Sequence, residues 1–224
     1  MIYVTGDTHI PVDIQKLSTK HFPAQKEMTK SDYVIICGDF GCMWDGSNEE
    51  KYWIKWLKNK NFTTLFIDGN HENFEMLYNL PTIEFGGSIV HRVDDGIYHL
   101  IRGEVYNIDG KKLFVFGGAS SHDMEQRTEG KNWWKEEMPS EQEYNRAENN
   151  LKKNNFRFDY VITHCAPTSV QEKVAPTYEN NQLTEFLEKI KNTADYKQWF
   201  FGHYHKDVCV EERFTGVFEK TYKI

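Results

Sequence analysis

Seven side chains of types that commonly bind metals follow short apolar runs of this sequence. The runs end in the segments TGDTH, ICGDFG, DGNHE, VITHCAP and FFGHYH, which contribute Asp7, His9, Asp39, Asn70, His164, His203 and His205. Carboxylate and amide oxygens together with imidazoles are the ligand mixture that borderline divalent metals accept. Seven ligands are too many for one ion and suit two ions that share a bridging carboxylate. Such ions lie roughly 3.5–4 Å apart and hold the attacking and leaving oxygens of an in-line displacement.

Each of these residues also has a simpler interpretation when it is taken alone. Asn70 is a good N-cap for a helix over ENFEMLYNL, residues 72–80. Asp39 after Gly38 is typical of a turn, and a lone histidine is usually structural. Because such residues recur after five apolar runs, one shared site is the better interpretation. The lack of cysteine among the seven disfavours a structural zinc site.

The apolar runs predict the strands that position these residues. They are rich in β-branched and aromatic residues, as strands buried on both faces are, and they lie at Ile2–Val4, Tyr33–Cys37, Thr64–Ile67, Tyr160–Ile162 and Trp199–Phe201. Ligands of open α/β sheets bind beyond the carboxyl ends of the strands. In extended backbone, residues i and i+2 point the same way. We therefore expect the side chains of Asp7 and His9 to point in the same direction. We expect the same of His203 and His205.

Amphipathic patterns predict helices between these strands. They cover residues 47–60, 139–153 and 180–191. Ser47 and Glu50 stand at capping-box spacing at the start of the first helix, and Ser140 and Glu143 at the start of the second. These helices would cover the sheets on their outer faces.

Short strand-like segments occupy the middle and the end of the chain. Between residues 83 and 119 they alternate with turns, and Asp109-Gly110 predicts a hairpin. Residues 207–224 read as another hairpin. No repeat, low-complexity tract or linker stands out. We therefore predict one domain over residues 1–224, with an α/β fold in which a sandwich of mixed β-sheets is flanked by helices.

Composition excludes several classes of protein. The 224 residues are 39% hydrophobic and 15% aromatic, which excludes a disordered chain. There is no run of about 18 apolar residues, so we expect no membrane span, and the N-terminus shows no signal-peptide pattern. We expect a cytoplasmic protein whose cysteines are reduced and buried as small hydrophobic residues, at Cys37, Cys42, Cys165 and Cys209. The net charge of −7 disfavours extended nucleic acid as a partner.

The ordered segments GDTH, GDFG, GNHE, THCAP and GHYH resemble the motif series of the calcineurin-like metallophosphoesterases. The resemblance spans Gly6 to His205 and implies an αββα sandwich of two mixed sheets. It implies one ion held by Asp7, His9, Asp39 and His205, and a second held by Asp39 as the bridging ligand with Asn70, His164 and His203. By the same resemblance, His71 binds no metal and acts as general acid or stabilises the transferred phosphoryl group.

The resemblance implies a hydrolase that cleaves phosphomonoesters or phosphodiesters, with a hydroxide between the ions attacking phosphorus in line. Two divalent ions, two carboxylates and a hydroxide sum to about +1, so a phosphate is attracted although the chain is acidic. Mn²⁺ is the first expectation for the metal, with Fe and Zn²⁺ as alternatives. The expected substrate is a phosphorylated small molecule or a nucleotide, and the oligomeric state is left open.

One segment departs from the Ser/Thr phosphoprotein phosphatases of this family. Their GDxxDRG motif carries an arginine that grips phosphate, whereas this chain reads GDFGCMWDG. Asp45 is the candidate for the second aspartate of that motif, which orients the catalytic histidine, but its spacing from Asp39 is longer. The alternatives to the leading interpretation are a phosphoprotein phosphatase, a nuclease, and a non-catalytic scaffold such as the family's retromer subunit. The complete ligand set favours an enzyme over a scaffold.

The segment from Phe116 to Pro139 is polar, follows a predicted strand and contains two tryptophans. Loops at such positions carry specificity. We expect substrate contacts from this loop, with Ser120, Ser121, His122 and Arg127 as the candidates. Trp133 and Trp134 form either a lid over the site or the packed underside of a surface loop.

Overall fold

Strands and helices alternate along the chain, and the computed structural model describes them over residues 1–122 and 126–224. The strands are β1 (Ile2–Thr5), β2 (Tyr33–Cys37), β3 (Thr63–Ile67), β4 (Thr82–Phe85), β5 (Ser88–Asp94), β6 (Ile97–Leu100), β7 (Val105–Ile108), β8 (Lys111–Phe116), β9 (Tyr160–Thr163), β10 (Gln198–Phe201), β11 (Val208–Val210), β12 (Phe214–Gly216) and β13 (Tyr222–Lys223). The α-helices are α1 (Asn48–Lys58), α2 (Phe74–Tyr78), α3 (Glu141–Lys153), α4 (Thr168–Val174) and α5 (Gln182–Thr193).

The first sheet is built around parallel strands that are followed by four of the expected ligands, Asp7, His9, Asp39 and Asn70. Its order is β13-β1-β2-β3-β6-β5-β4. The strands β1, β2, β3 and β6 run parallel to one another. The strands β13, β5 and β4 are antiparallel to their neighbours. The carboxyl ends of β1, β2 and β3 therefore meet at one edge.

The second sheet repeats this arrangement with the order β11-β12-β10-β9-β8-β7. The strands β8, β9, β10 and β12 are parallel, and the edge strands β7 and β11 are antiparallel to their neighbours. Phe116, Thr163 and Phe201 stand in register at the carboxyl ends of β8, β9 and β10. The segments that follow β9 and β10 therefore leave the sheet side by side.

Alternation of side chains along the strands produces four layers. In β2, Val34 and Ile36 pack with Leu57 of α1, whereas Ile35 faces the core between the two sheets. On the far side, the helices α3 and α5 cover the outer face of the second sheet. Fully burying an aliphatic side chain of this size contributes about 1.5–3 kcal/mol to folding. The order helix, sheet, sheet, helix is the mixed-sheet α/β sandwich that the sequence predicts.

The two expected capping boxes differ in the structure. Ser140 and Glu143 form the complete reciprocal box at the start of α3. Ser47 caps α1 by accepting the backbone N–H of Glu50 at 3.1 Å. The Glu50 carboxylate does not return to Ser47, because it accepts backbone N–H groups from the preceding loop, at 2.6 Å from that of Trp44. The box at α1 is therefore half formed.

The expected helix over residues 72–80 is shorter and begins later. The helix α2 covers Phe74–Tyr78, and its N-cap is Asn73, whose Oδ1 accepts the backbone N–H of Met76 at 3.1 Å. Asn70 lies before this helix, in the loop after β3. The interpretation of Asn70 as the N-cap is therefore wrong, and its side chain is available for another role.

Both expected hairpins contain a real antiparallel pair, but the second is more complex. Asp109 and Gly110 join β7 to β8 with φ of 49° and 72°, the left-handed conformation of a two-residue hairpin turn. At the end of the chain, β11 and β12 pair antiparallel. The strand β12 also pairs with β10, and β13 crosses to pair with β1 of the first sheet. The final segment therefore links the two sheets.

The cysteines follow the expectation with one exception. Cys37, Cys42 and Cys165 are buried free thiols, whereas Cys209 is exposed. Cys209 lies on the edge strand β11, where one face of the strand has no layer packed over it. Over the described ranges, none of the helices combines the length and the apolar character needed to cross a membrane.

Candidate metal centre

The expected ligands lie at the carboxyl ends of strands from both sheets. Asp7, Asp39 and Asn70 follow the neighbouring strands β1, β2 and β3. His164 and His203 follow the neighbouring strands β9 and β10 of the other sheet. The carboxyl ends of the parallel strands of both sheets thus lie at the same end of the sandwich, and each sheet contributes ligands to one site.

Four of the residues form a compact group of donor atoms. One ligand atom from each lies within 4.8 Å of the others, and the residues are Asp7, His9, Asp39 and His205. His9 Nε2 is 3.2 Å from Asp39 Oδ2. His205 Nε2 is 3.9 Å from Asp7 Oδ1. This group is the set that the resemblance assigns to the first ion.

The remaining residues meet Asp39 on its other side. His164 Nε2 lies 3.4 Å from Asp39 Oδ1 and 3.2 Å from Asn70 Oδ1. The His203 ring makes an edge contact with the His164 ring, with 5.0 Å between their centroids. Asp39 therefore presents one oxygen toward each group, as a carboxylate that bridges two ions would.

The donor set fits divalent cations by two criteria. Separations of about 3–4 Å are those of ligand atoms that share an ion through bonds of about 2.0–2.2 Å. In addition, Asp7 Oδ2 is buried and has no hydrogen-bond partner among the described residues. A buried carboxylate oxygen without a partner is costly, and a cation held there would remove that cost.

The backbone at the centre is not extended, contrary to our expectation. Five of the seven residues have φ between 34° and 66°, namely Asp7, His9, Asp39, His203 and His205. This left-handed region is uncommon for residues other than glycine. The side chains of Asp7 and His9, and those of His203 and His205, therefore converge through tight turns after β1 and β10. Such strained positions cluster at functional sites.

Glycines make room for the ligands where backbones approach closely. A Cβ on Gly69 would lie 2.1 Å from Asp39 Oδ1 and 2.8 Å from His164 Nε2. A Cβ on Gly202 would lie 2.7 Å from Asp7 Oδ2. All three distances are too short for real atoms, so only glycine allows the neighbouring ligands to reach these positions.

Hydrogen bonds fix which nitrogen of two imidazoles faces the centre. His9 Nδ1 donates to Asp13 Oδ2 at 2.8 Å, and His164 Nδ1 donates to the Cys37 carbonyl at 2.7 Å. The Nε2 atom of each ring is thereby left as the ligand, a pattern common at metal sites. The role of Asp13 was not predicted, although its i+4 spacing from His9 is a signal that the sequence contains.

A chain of contacts orients the side-chain amide of Asn70. Its Nδ2 donates to Ser121 Oγ at 3.3 Å, which turns Oδ1 toward His164. The Ser121 backbone N–H in turn donates to Glu137 Oε2 at 3.1 Å. Ser121 and Glu137 are both buried. Ser121 therefore contacts the expected ligand Asn70, whereas the sequence suggested a contact with substrate. No sequence pattern indicated a role for Glu137.

Phe218 and Lys16, which the sequence analysis did not single out, contact the centre on the side of His205 and Asp7. The Phe218 ring stacks on the His205 ring, with centroids 4.8 Å apart and planes at 16°. Lys16 Nζ donates to the carbonyls of Gly6 and Asp7 at 2.8 and 3.1 Å. These contacts join residues 9 to 13 positions apart, which is longer than the period of a helix or a strand, so no periodic pattern indicated them.

Burial and close contact shift the pKa values of the carboxylates and imidazoles at the centre, as expected for a site that binds cations. Burial raises the pKa of Asp7, and His164 only partly offsets this effect. Burial acts to lower the pKa of His164, but Asp39 and Asp7 outweigh it and raise that pKa to about 9. Burial and the neighbouring His164 lower the pKa of His203 well below its usual range. Without metal, an imidazole proton balances the carboxylates, so metal binding should release protons.

His71 lies beside the centre and not among its ligands. Its ring makes an edge contact with the His9 ring at 5.5 Å, and its backbone N–H donates to Asp39 Oδ1 at 2.9 Å. Burial lowers the pKa of His71, and the nearby Arg127 adds to that effect. Asp45 is exposed and accepts the backbone N–H of Ser47. That bond gives no support to Asp45 as the residue that orients His71.

The loop candidates fall at different distances from the centre. The His122 ring packs against Tyr178 at 4.0 Å and lies 5.9 Å from the His203 ring. Arg127 donates to the Asn132 carbonyl at 3.1 Å. Trp134 is buried against Trp44, so for this tryptophan the lid interpretation is wrong. Residues 123–125 of the loop lie outside the described residues.

Comparison with known proteins agrees with this geometry. The sequence profile of the family described as calcineurin-like phosphoesterase matches residues 1–207 of the 224. A search of curated proteins finds no match. The matched range contains all seven expected ligands and His71, and it confirms the resemblance seen in the motifs. The chain belongs to the calcineurin-like phosphoesterase family.

Proposed function

We propose that this protein hydrolyses phosphoesters with two divalent metal ions. Its family carries out metal-dependent phosphoester hydrolysis and usually binds two divalent ions. One observation carries the proposal: donor atoms of Asp7, His9, Asp39 and His205 lie within 4.8 Å of one another. The proximity of His164 to Asp39 and Asn70 supports a second set of ligands on the far side of Asp39.

In this proposal each side chain has a defined role. Asp39 serves both ions, with Asp7, His9 and His205 as the other ligands of the first and with Asn70, His164 and His203 as the other ligands of the second. When bound, the ions supply Lewis acidity toward the phosphoryl oxygens and lower the pKa of water to about 7. Mn²⁺ is the proposed metal, because carboxylate and amide oxygens suit it, and the imidazole ligands make Fe and Zn²⁺ the alternatives.

His71 is the proposed catalytic side chain. It lies next to His9, and among the described residues no carboxylate is hydrogen-bonded to its ring, so we propose that its nitrogens contact the substrate. Because its pKa is lowered, the ring is neutral at neutral pH and donates a hydrogen bond from one N–H. Donated to the phosphoryl or leaving oxygen, that bond stabilises the charge that develops in the transition state.

The proposed substrate is a phosphorylated small molecule or a nucleotide. Arg127 is close enough to His71 to affect its pKa and would supply positive charge for a phosphate. His122 stands on the side of His203. The net charge of −7 supports a small substrate over an extended nucleic acid. Buried free thiols at Cys37, Cys42 and Cys165 support the cytoplasm as the proposed compartment.

Reconstitution of the metal-free chain tests this proposal. Chelator-treated protein is loaded with Mn²⁺, Fe²⁺ or Zn²⁺ and assayed with p-nitrophenyl phosphate and bis(p-nitrophenyl) phosphate. We expect hydrolysis that depends on metal, and the ratio of the two rates assigns the monoester or diester preference. A phosphopeptide and single-stranded DNA test the phosphatase and nuclease alternatives. Metal-loaded protein that hydrolyses none of these esters would contradict the proposal and favour a scaffold.

A further inference from the structure

A pocket of about 260 Å³ opens directly beside the candidate metal centre. His9 and His71 form the wall that it shares with the centre. The opposite wall comes from the segment before α1 and from its first turns, including Trp44 and Trp53. A substrate whose phosphoryl group lies at the centre would place its next atoms in this pocket, on the side of His71.

This pocket is lined by acidic side chains, whereas the centre would be positive with two divalent ions bound. Among the described residues that line it there are three carboxylates, from Asp45, Glu49 and Glu50, and no lysine or arginine. Glu50 is buried and satisfied by the backbone N–H groups of Trp44, Asp45 and Gly46. The carboxylates of Asp45 and Glu49 are exposed. A second phosphate would therefore be repelled from this pocket, and a cation attracted.

The aromatic residues of the pocket are held in place by other aromatic rings. Trp44 makes an edge contact with the buried Trp134, with centroids 5.2 Å apart. Trp53 makes edge contacts with Tyr52 at 5.1 Å and with Trp56 at 5.5 Å. Tryptophan faces attract cations most strongly of the aromatic side chains and, in cages, recognise quaternary ammonium groups. The small volume suits a compact group, since sites for drug-sized ligands start at about 300 Å³.

We propose that this pocket binds a cationic amine that is part of the phosphoester substrate. The inference rests on the proposed function, because the phosphoryl end must lie at the metal centre. The substrate class is then a zwitterionic phosphoester of an amino alcohol, with the phosphate beside His71 and the ammonium group between Trp44 and Trp53. The exposed carboxylates of Asp45 and Glu49 face that ammonium group.

A pair of substrates that differ only in this charge tests the inference. Phosphocholine carries a quaternary nitrogen, and 3,3-dimethylbutyl phosphate carries carbon at the same position. We expect kcat/KM of the Mn²⁺-loaded enzyme to be about tenfold higher for phosphocholine, the order expected from a cation held over an aromatic face. If the enzyme prefers diesters, the p-nitrophenyl diesters of the same two alcohols replace the monoesters.

Variants of the pocket residues test whether the pocket causes the preference for the cationic substrate. The substitution Trp53→Leu, and the pair Asp45→Asn with Glu49→Gln, should bring the ratio of the two kcat/KM values close to one. The two amide substitutions keep the size of the side chains, and the amide oxygen at position 45 would still accept the Ser47 N–H, so folding should be retained. The matched control is Glu148→Gln, an exposed acidic residue of α3 that pairs with Lys152. It should keep the wild-type ratio.

Four results would overturn the inference. A wild-type ratio near one contradicts it, as does a high ratio that persists in both pocket variants. Hydrolysis of p-nitrophenyl phosphate without hydrolysis of phosphocholine or its diester also contradicts it and leaves the proposed function intact. If Mn²⁺-loaded protein hydrolyses no ester at all, the proposed function fails, and the inference that rests on it fails too.

Discussion

At the scale of single residues, Asp39 is the shared element of the centre. Its Oδ2 lies 3.2 Å from His9 Nε2, and its Oδ1 lies 3.4 Å from His164 Nε2. Oδ1 also accepts the backbone N–H groups of Asn70 and His71 at 3.0 and 2.9 Å. One carboxylate thus contacts both sets of ligands and holds the loop that carries the proposed catalytic histidine.

The substitution Asp39→Ala should remove both ions and all hydrolysis. The alanine has no oxygen for either ion, and the remaining ligands then lose their common neighbour. Metal content per chain after gel filtration, measured by atomic emission, checks the first effect, and rates with p-nitrophenyl esters check the second. Protein that retains two ions per chain would show that Asp39 is not the bridging ligand.

The substitution His71→Ala should separate metal binding from catalysis. Because His71 packs beside the His9 ring and lies outside the group of four donor residues, the metal content should stay at the wild-type value. Turnover should fall by about 10²–10⁴-fold, the usual effect of losing a proton donor. A variant that loses its ions would prove the assigned role wrong.

The sequence indicated the chemistry of the centre better than its geometry. The residue types and their order along five apolar runs predicted which side chains the structure brings together, and their role as metal ligands stays a prediction. The left-handed backbone at Asp7 and His203 could not be predicted, because no local residue pattern marks it and the two turns meet through a hydrogen bond between residues 196 positions apart. Ser121 was assigned to substrate because its position in a polar loop gave no sign of its contact with Asn70, 51 residues away.

At the scale of elements, strands place the ligands and loops orient them. Every predicted strand of the site agrees with the structure to within one residue at each end. The helix α2 was misjudged, because Asn70 and Asn73 are both good N-caps and the sequence alone did not choose between them. The C-terminal strands were only partly predicted, since the crossing of β13 to the first sheet depends on long-range packing.

Ser121→Ala should weaken binding of the second ion selectively. The alanine leaves Asn70 Nδ2 without its acceptor, so the amide is free to rotate and turn Oδ1 away from His164. Loss of such an orienting partner typically costs about 10–100-fold in metal affinity. Calorimetric titration of metal-free protein with Mn²⁺ should show a weakened second site and an unchanged first site. Ser121→Thr keeps the hydroxyl and should restore the affinity; equal weakening of both sites would contradict this role.

His91 on β5 should make stability sensitive to acid. Burial lowers its pKa to about 4, and the His99 ring, stacked on it at 5.2 Å, adds to the shift. Between pH 4 and the ordinary value near 6.5, the unfolded chain binds more protons at this position than the folded chain does. Stability from this group is therefore complete above about pH 6.5 and is lost as the pH falls toward 4.

The substitution His91→Gln checks this pH dependence. Tm measured from pH 7 to pH 4 should fall less steeply in the variant than in the wild-type protein. Because other groups titrate in the same range, the difference between the two curves is the quantity that reports on His91. Parallel curves would contradict a neutral, half-buried imidazole at this position.

At the scale of the whole molecule, a buried ion pair ties the layers together. Arg102 follows β6 and is 1% exposed. Its Nε donates to Asp68 Oδ2 at 2.6 Å, after β3, and its Nη2 donates to the Glu137 carbonyl at 3.3 Å. Its Nη1 is 3.6 Å from the Glu143 carboxylate of α3. One guanidinium therefore joins the first sheet to the loop and helix that cover the second.

The substitution Arg102→Met should destabilise the fold by about 3–5 kcal/mol, because the buried Asp68 carboxylate loses its guanidinium partner and keeps only the contact with the His99 ring. Urea unfolding at neutral pH measures this change. Arg92→Met is the matched control, since Arg92 is 43% exposed and pairs with Asp95 on the surface; about 0–1 kcal/mol is expected for such a pair. Equal effects of the two substitutions would contradict the structural role of Arg102.

The central claim is that two ions at the edge shared by both sheets make this chain a phosphoester hydrolase. Stepwise titration of the metal-free chain with Mn²⁺, with metal content and hydrolysis of p-nitrophenyl esters followed in the same samples, tests it most directly. We predict saturation at two ions per chain and a rate that rises with occupancy of the second site. Saturation at two ions without hydrolysis of either ester, or no binding of Mn²⁺, Fe²⁺ or Zn²⁺, would contradict the account.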